Sequence, residues 1–213
     1  PEDEVKPTPF QWVASAARLP VVFHTHERAG TPYVTWSLCG ALVLAMILSF
    51  GWAPDSVMRW GFIPCEWSRY LGLTAVTSFF VHGGVIHLLV NAYCLLAFGD
   101  NVEDLLGHAR YGLLVLAATV AGCLTHGVFT SQPAIPLVGA SAGVAGVAVF
   151  YAFAFPHARV GVINLFAPWR LIQIPVPVML AIYAAGEWLS VALQQDPSSS
   201  VAHFAHLGGA AVG

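Results

Sequence analysis

The sequence predicts an all-α membrane protein with six transmembrane helices, on three observations. Only 9% of its 213 residues are charged and 57% are hydrophobic, with a mean hydropathy of +0.72; soluble domains carry about 25% charged residues. Apolar runs of spanning or near-spanning length are separated by short polar turns, as helices crossing a bilayer require. The polar residues inside those runs are mostly His, Ser, Thr and Asn, with Glu187 the one carboxylate, rather than a scatter of charges.

Residues 1–32, with Glu2, Asp3, Glu4, Lys6, Arg18, Glu27 and Arg28, read as an N-terminal cytoplasmic tail, with residues 12–22 on the membrane surface. Residues 33–213 read as the transmembrane domain. The first span is expected over residues 33–52. A loop over 53–73 follows, whose Trp60, Trp67, Arg59 and Arg69 suit the headgroup layer; Trp52 and Trp188 read as further interface anchors. The second span covers 85–98 and is closed by Gly99, Asp100 and a charged turn with Glu103, Asp104 and Arg110. The third covers 111–129, the fourth 141–155 and the fifth 172–193, with a turn over 157–170. The sixth starts near His203 and stops at Gly213 after about a dozen residues, where a span needs roughly 20, so it is expected to be cut short.

Six spans leave both ends on one side. Lys6, Arg18, Arg28, Arg110, Arg159 and Arg170 would lie on the N-terminal side against Arg59 and Arg69 on the other, which puts the N-terminus in the cytoplasm. No basic stripe suggests nucleic acid. Cys39, Cys65, Cys94 and Cys123 share no C-x-x-C spacing and imply no metal. No cofactor is expected either. The tail lacks a transit composition, so a bacterial cytoplasmic membrane is the expected location.

Parity then gathers the polar residues. Spans two, four and six run in the same direction, so His82 and His87, Ser141, and His203 and His206 share the outer layer. From Ser141 to Phe155 are 15 residues, about 22 Å of helix against a hydrocarbon core of about 30 Å, so Ser141 lies below the outer surface.

Ser141 stands in Gly139-Ala140-Ser141-Ala142-Gly143, flanked by residues too small to shield it. A serine hydroxyl becomes a nucleophile when a base takes its proton, and histidine is suited to that near neutral pH. Gly209 and Gly213 form a G-x-x-x-G face below His206, and Ala142, Gly143 and Gly146 form a small face on span four. Such faces let backbones approach closely, which would bring His206 to Ser141. His203 is the weaker rival for the base. His87 and Asn91 lie four apart on one helix face and, with the Ser141 N–H, could donate to an oxyanion. Alternatively, these polar residues could serve as interhelical hydrogen-bonding glue. Their convergence on one depth favours function, because polar groups in the bilayer are costly. Glu187, the carboxylate within span five, is expected to snorkel or to bond within the bundle, and the base is expected to work without an acid.

The segments 82–91, 139–143 and 205–213 resemble the three signature segments of the rhomboid family of intramembrane serine proteases, in order, spacing and parity. The resemblance implies a six-helix rhomboid-like bundle. In it Ser141 is the nucleophile and His206 the general base of a Ser-His dyad, and His87, Asn91 and the Ser141 amide form the oxyanion hole. It also implies that His82 steadies the outer loop and Glu103 is a structural acid. Transmembrane proteins are the implied substrates, with no metal or cofactor. Ala142 and Ala145 depart from the family pattern, which commonly has glycine and an aromatic there; the aromatic packs on the catalytic histidine, so something else must hold the His206 ring. The alternative function is an inactive rhomboid-like protein that binds and routes transmembrane clients.

Overall fold

A computed structural model describes residues 21–23, 30–51, 55–163, 171–193 and 202–213. Strand β1 (Val21–Phe23) precedes helix α1 (Tyr33–Gly51). Short helices α2 (Ser56–Trp60) and α3 (Thr74–Thr77), with two 3₁₀ turns between them, lead to α4 (Val85–Leu106) and α5 (His108–Phe129). Then come α6 (Ser141–Ala154), β2 (Arg159–Ile163), β3 (Leu171–Pro175), α7 (Val176–Leu193) and α8 (His203–Ala210). Most of the expected tail, the anchor Trp52 and the basic residues Lys6, Arg18, Arg28 and Arg170 lie outside the described residues.

The protein is a mostly helical membrane protein. Helices α4, α5 and α7 are long and apolar enough to cross a bilayer, while Tyr33–Ser49 and Ser141–Ala154 are shorter apolar helices. Large apolar side chains such as Ile47, Ile86, Leu113, Val128, Ile182 and Leu189 point outward, where lipid rather than water is the compatible neighbour. Helix α6 lies at the centre: residues 142–147 are all buried. It packs against α4, α5, α7 and α8.

Three boundaries differ from expectation. Gly99 and Asp100 do not end the second span; α4 continues to Leu106 and stops before Gly107, whose φ of +76° breaks the helix. Charge ends a helix only where it must reach water, and Glu103 is buried and fully partnered instead. Gly99 is a contact point, since a methyl there would strike the Tyr111 hydroxyl and Thr35. The turn after α6 contains β2, which pairs antiparallel with both β1 and β3. Residues 172–175, expected to open span five, belong to β3 (Leu171–Pro175), so α7 begins only at Val176.

Glu103 ties α1 to α4. Its carboxylate accepts the N–H of Val34 (2.8 Å), the N–H and hydroxyl of Thr35 (both 2.8 Å), and His108 Nδ1 lies 2.6 Å away. The first N–H groups of a helix have no partner within it and carry partial positive charge. A carboxylate from a neighbouring helix therefore caps α1.

Candidate active site

The chain reaches Ser141 through a loop fixed at several points. Phe62 and Leu137 exchange backbone hydrogen bonds of 2.9 and 2.8 Å, and the Cys65 N–H donates to the Pro133 carbonyl at 2.9 Å. Nearer the serine, the Gly139 N–H donates to the Ser78 carbonyl at 2.9 Å and the Ala140 N–H to His82 Nε2 at 3.4 Å. Gly139 has a φ of +116°, which side chains other than glycine's rarely allow, and its α-carbon faces the His87 ring. The chain then turns directly into α6, with Ser141 as its first residue.

His82 is the loop's anchor. Its Nδ1 faces the Phe80 carbonyl at 3.4 Å, which leaves Nε2 as the acceptor for Ala140. Burial, with His87 close by (ring centroids 5.0 Å apart), pushes its pKa down to about 4. The side chain is thus neutral at pH 7, as that bonding pattern requires.

Small residues bring α8 to α6. A methyl group on Gly209 would land on the Ala142 carbonyl oxygen, and one on Gly213 on that of Gly146. Gly143 leaves room for Thr119, Phe79 and Val115. At this separation His206 Nε2 is 2.8 Å from Ser141 Oγ, a hydrogen-bonding distance.

His87 and Asn91 sit on consecutive turns of α4 beside Gly139. A β-carbon there would come within 2.7 Å of His87 Cε1 and 3.7 Å of Asn91 Nδ2. Asn91 is buried, 4% exposed, and also donates to the His87 carbonyl at 3.1 Å. The amide at Ser141 is in the first turn of α6, where helix N–H groups have no intrahelical acceptor.

Nothing in the sequence pointed to an acid beside His206, and the structure brings Glu187 there. Glu187 Oε2 lies 3.2 Å from His206 Nδ1 and 2.8 Å from His203 Nδ1. The carboxylate is 8% exposed, so it bonds within the bundle rather than snorkelling. The pair Glu187 and His206 occupies different helices, so no local spacing announces it; the available signal was a carboxylate in an otherwise uncharged apolar run. Glu187, His203 and His206 also place one potential ligand atom each within 4.8 Å of one another, a donor set that could hold a metal ion.

A helical membrane protein with serine, histidine and a glycine-lined helix contact at its centre is the class these features define. The Rhomboid domain model matches residues 65–213, and the chain belongs to the rhomboid family. It is 30% identical over 149 residues to the presenilin-associated rhomboid-like protein A, mitochondrial, of Danio rerio, covering 66% of this chain and 36% of that protein. Over 106 residues it is 31% identical to the rhomboid protease GluP of Bacillus subtilis (strain 168), covering 50% of this chain and 19% of the other. Rhomboid-related protein 3 of Homo sapiens is 32% identical over 151 residues, 68% of this chain and 34% of that one. The chain thus spans about a third or less of these relatives' lengths.

Proposed function

We propose that this chain is an intramembrane serine endopeptidase that hydrolyses peptide bonds in or next to transmembrane segments of other proteins. The observation that carries the reading is the 2.8 Å contact between Ser141 Oγ and His206 Nε2 at the start of a buried helix. Membership of the rhomboid family, with relatives that bear protease names, supports it.

In the reaction, Ser141 Oγ attacks the scissile carbonyl carbon while its proton passes to His206 Nε2. The carbonyl oxygen becomes negative and takes hydrogen bonds from the Ser141 N–H, His87 and Asn91. Preorganised donors of this kind are each worth ~10²- to 10³-fold in rate. The intermediate collapses, His206 protonates the departing amine, and an ester on Ser141 remains. Water then attacks the ester, giving its proton to His206, which returns it to Ser141 as the acid product leaves. Gly139, Gly143 and Gly209 set the approach of the elements, and His82 holds the loop.

A hydrogen-bonded helix hides its carbonyl groups from a nucleophile, so substrates that unwind at small or helix-breaking residues are preferred. Residues 33–213 act as the catalytic domain and 1–32 as a tail. The distribution of Lys and Arg puts the N-terminus in the cytoplasm and the active site toward the outer face. The bacterial cytoplasmic membrane rests on tail composition alone, and two matched relatives carry mitochondrial names.

The test is cleavage of a labelled single-span reporter in liposomes by the parent chain beside Ser141→Ala. Cleavage lost in the mutant establishes the activity. A folded parent that cleaves no reporter of a varied panel and resists fluorophosphonate labelling moves the function to client binding.

A further inference from the structure

We propose that Glu187 is the positioning residue of His206, turning the serine and histidine into a three-member chain, with His203 holding the carboxylate from a second side. The proposal rests on the protease reading above and concerns the same site.

An ionised carboxylate only accepts hydrogen bonds. With Oε2 at 2.8 Å from His203 Nδ1 and 3.2 Å from His206 Nδ1, both imidazoles present Nδ1–H to Glu187. His206 Nε2 then carries the lone pair, and it faces Ser141 Oγ. The tautomer a general base needs is fixed by this contact; in a free imidazole both tautomers are populated, and one of them points a hydrogen at the serine.

The ring also needs a physical hold. Ala145, four residues after Ser141, offers only a buried methyl group. Tyr183 touches it only at a tilt, with ring centroids 6.4 Å apart and planes at 38°, and leaves Nδ1 unheld. The bond to Glu187 supplies the restraint at Nδ1. When His206 takes the serine proton it becomes a cation, and a carboxylate beside it in a low-dielectric site stabilises that charge. His203 Nδ1, on the same oxygen and with its ring at 89° to that of His206, keeps the carboxylate from rotating away.

The same three side chains could ligate a metal, but their spacing favours hydrogen bonds. Around a tetrahedral zinc with bonds of ~2.0–2.2 Å, ligand atoms stand roughly 3.3–3.6 Å apart. Glu187 and His203 approach to 2.8 Å, the length of a charge-assisted N–H···O bond.

The test compares the parent chain, Ser141→Ala, Glu187→Ala and Glu187→Gln in liposomes. Reporter cleavage, fluorophosphonate labelling rate and a thermal melt are measured, and rates are expressed per folded molecule. Glu187→Ala should lower kcat by about 10- to 100-fold, a share of the ~10²- to 10⁴-fold that a positioned base supplies. KM should stay within about twofold, since uniform binding is untouched, and labelling should slow with kcat. Nitrogen NMR of labelled histidine should show the Nδ1–H form of His206 in the parent and a mixture of tautomers in Glu187→Ala. Glu187→Gln keeps an acceptor oxygen without the charge and should recover part of the loss. If Glu187→Ala does not fold, Glu187→Gln decides: a kcat about fivefold or more below the parent supports the role, since the charge-assisted bond is lost, and parental kcat and labelling overturn it.

Parental rates in folded Glu187→Ala overturn the inference while leaving the protease reading intact. Activity lost on chelation and restored by zinc overturns it in favour of a metal. A folded parent that neither cleaves nor labels removes the protease reading and this inference with it.

Discussion

Gly209 faces the backbone of Ala142 so closely that a β-carbon on it would clash with the Ala142 carbonyl oxygen. The contact sets the distance between α6 and α8, and three residues earlier on α8 stands His206. The gap between His206 and Ser141 is therefore governed by an atom that neither of them carries.

Gly209→Ala should force the two helices apart. Misplacing a reacting group by about 1 Å costs ~10²-fold, and cleavage should fall by at least that much. Overpacking should also lower stability by about 1–3 kcal/mol. Reporter cleavage and a thermal melt check both, with Gly40→Ala as the comparison. No atom would meet a methyl at Gly40, and that variant should match the parent.

Gly139→Ala combines an unfavourable φ with a methyl group 2.7–2.8 Å from the His87 ring. The ring must move, and the donor it offers moves with it. We expect kcat to drop by ~10²- to 10³-fold, the usual effect of losing one oxyanion donor. The Ser141 to His206 contact should persist, so fluorophosphonate labelling is expected to fall less than peptide cleavage.

Glu103→Gln tests the α1 cap. Glu103 is 1% exposed and accepts hydrogen bonds from Val34 and Thr35. An amide replaces one of its two acceptor oxygens by a donor facing donors, at a cost of about 1–3 kcal/mol. Denaturant melts in detergent should register the loss, while cleavage per folded molecule stays at the parental value.

His82 makes a prediction about pH. Its pKa in the folded chain is about 4, below the 6.5 of an unperturbed histidine. As pH falls below 6.5 the unfolded chain takes the proton first, so stability is lost progressively down to about pH 4 and no further from this group. Protonation would also turn Nε2 into a donor against the Ala140 N–H. Melting temperatures of the parent and His82→Asn, followed from pH 7 to 4, should converge at the acid end.

Ser141 and His206 were legible in the sequence because they stand in short segments of small and polar residues within an apolar chain. Helix parity then placed Ser141 and His206 at one depth, and the structure brings them to 2.8 Å. Glu187 was legible as an oddity only. Its partners lie on α8, and which face of α7 meets α8 is decided by packing, not by anything within residues 176–193. Gly99 and Asp100 misled for a related reason: they resemble a helix stop, yet both sit inside α4, where Gly99 leaves the room that Tyr111 and Thr35 fill. The small sheet escaped because β1 has three residues and pairs with β2 from beyond α6, a register that no local alternation records.

The bond from Glu103 to the start of α1 also imposes an order in time. Helix α1 precedes α4 in the chain, so its Val34 and Thr35 N–H groups are made well before the carboxylate that will receive them. Until then they must stay where water can reach them, because a bilayer interior offers them nothing. The cap on α1 can therefore close only after the chain has been made as far as Glu103 on α4, 69 residues beyond Val34.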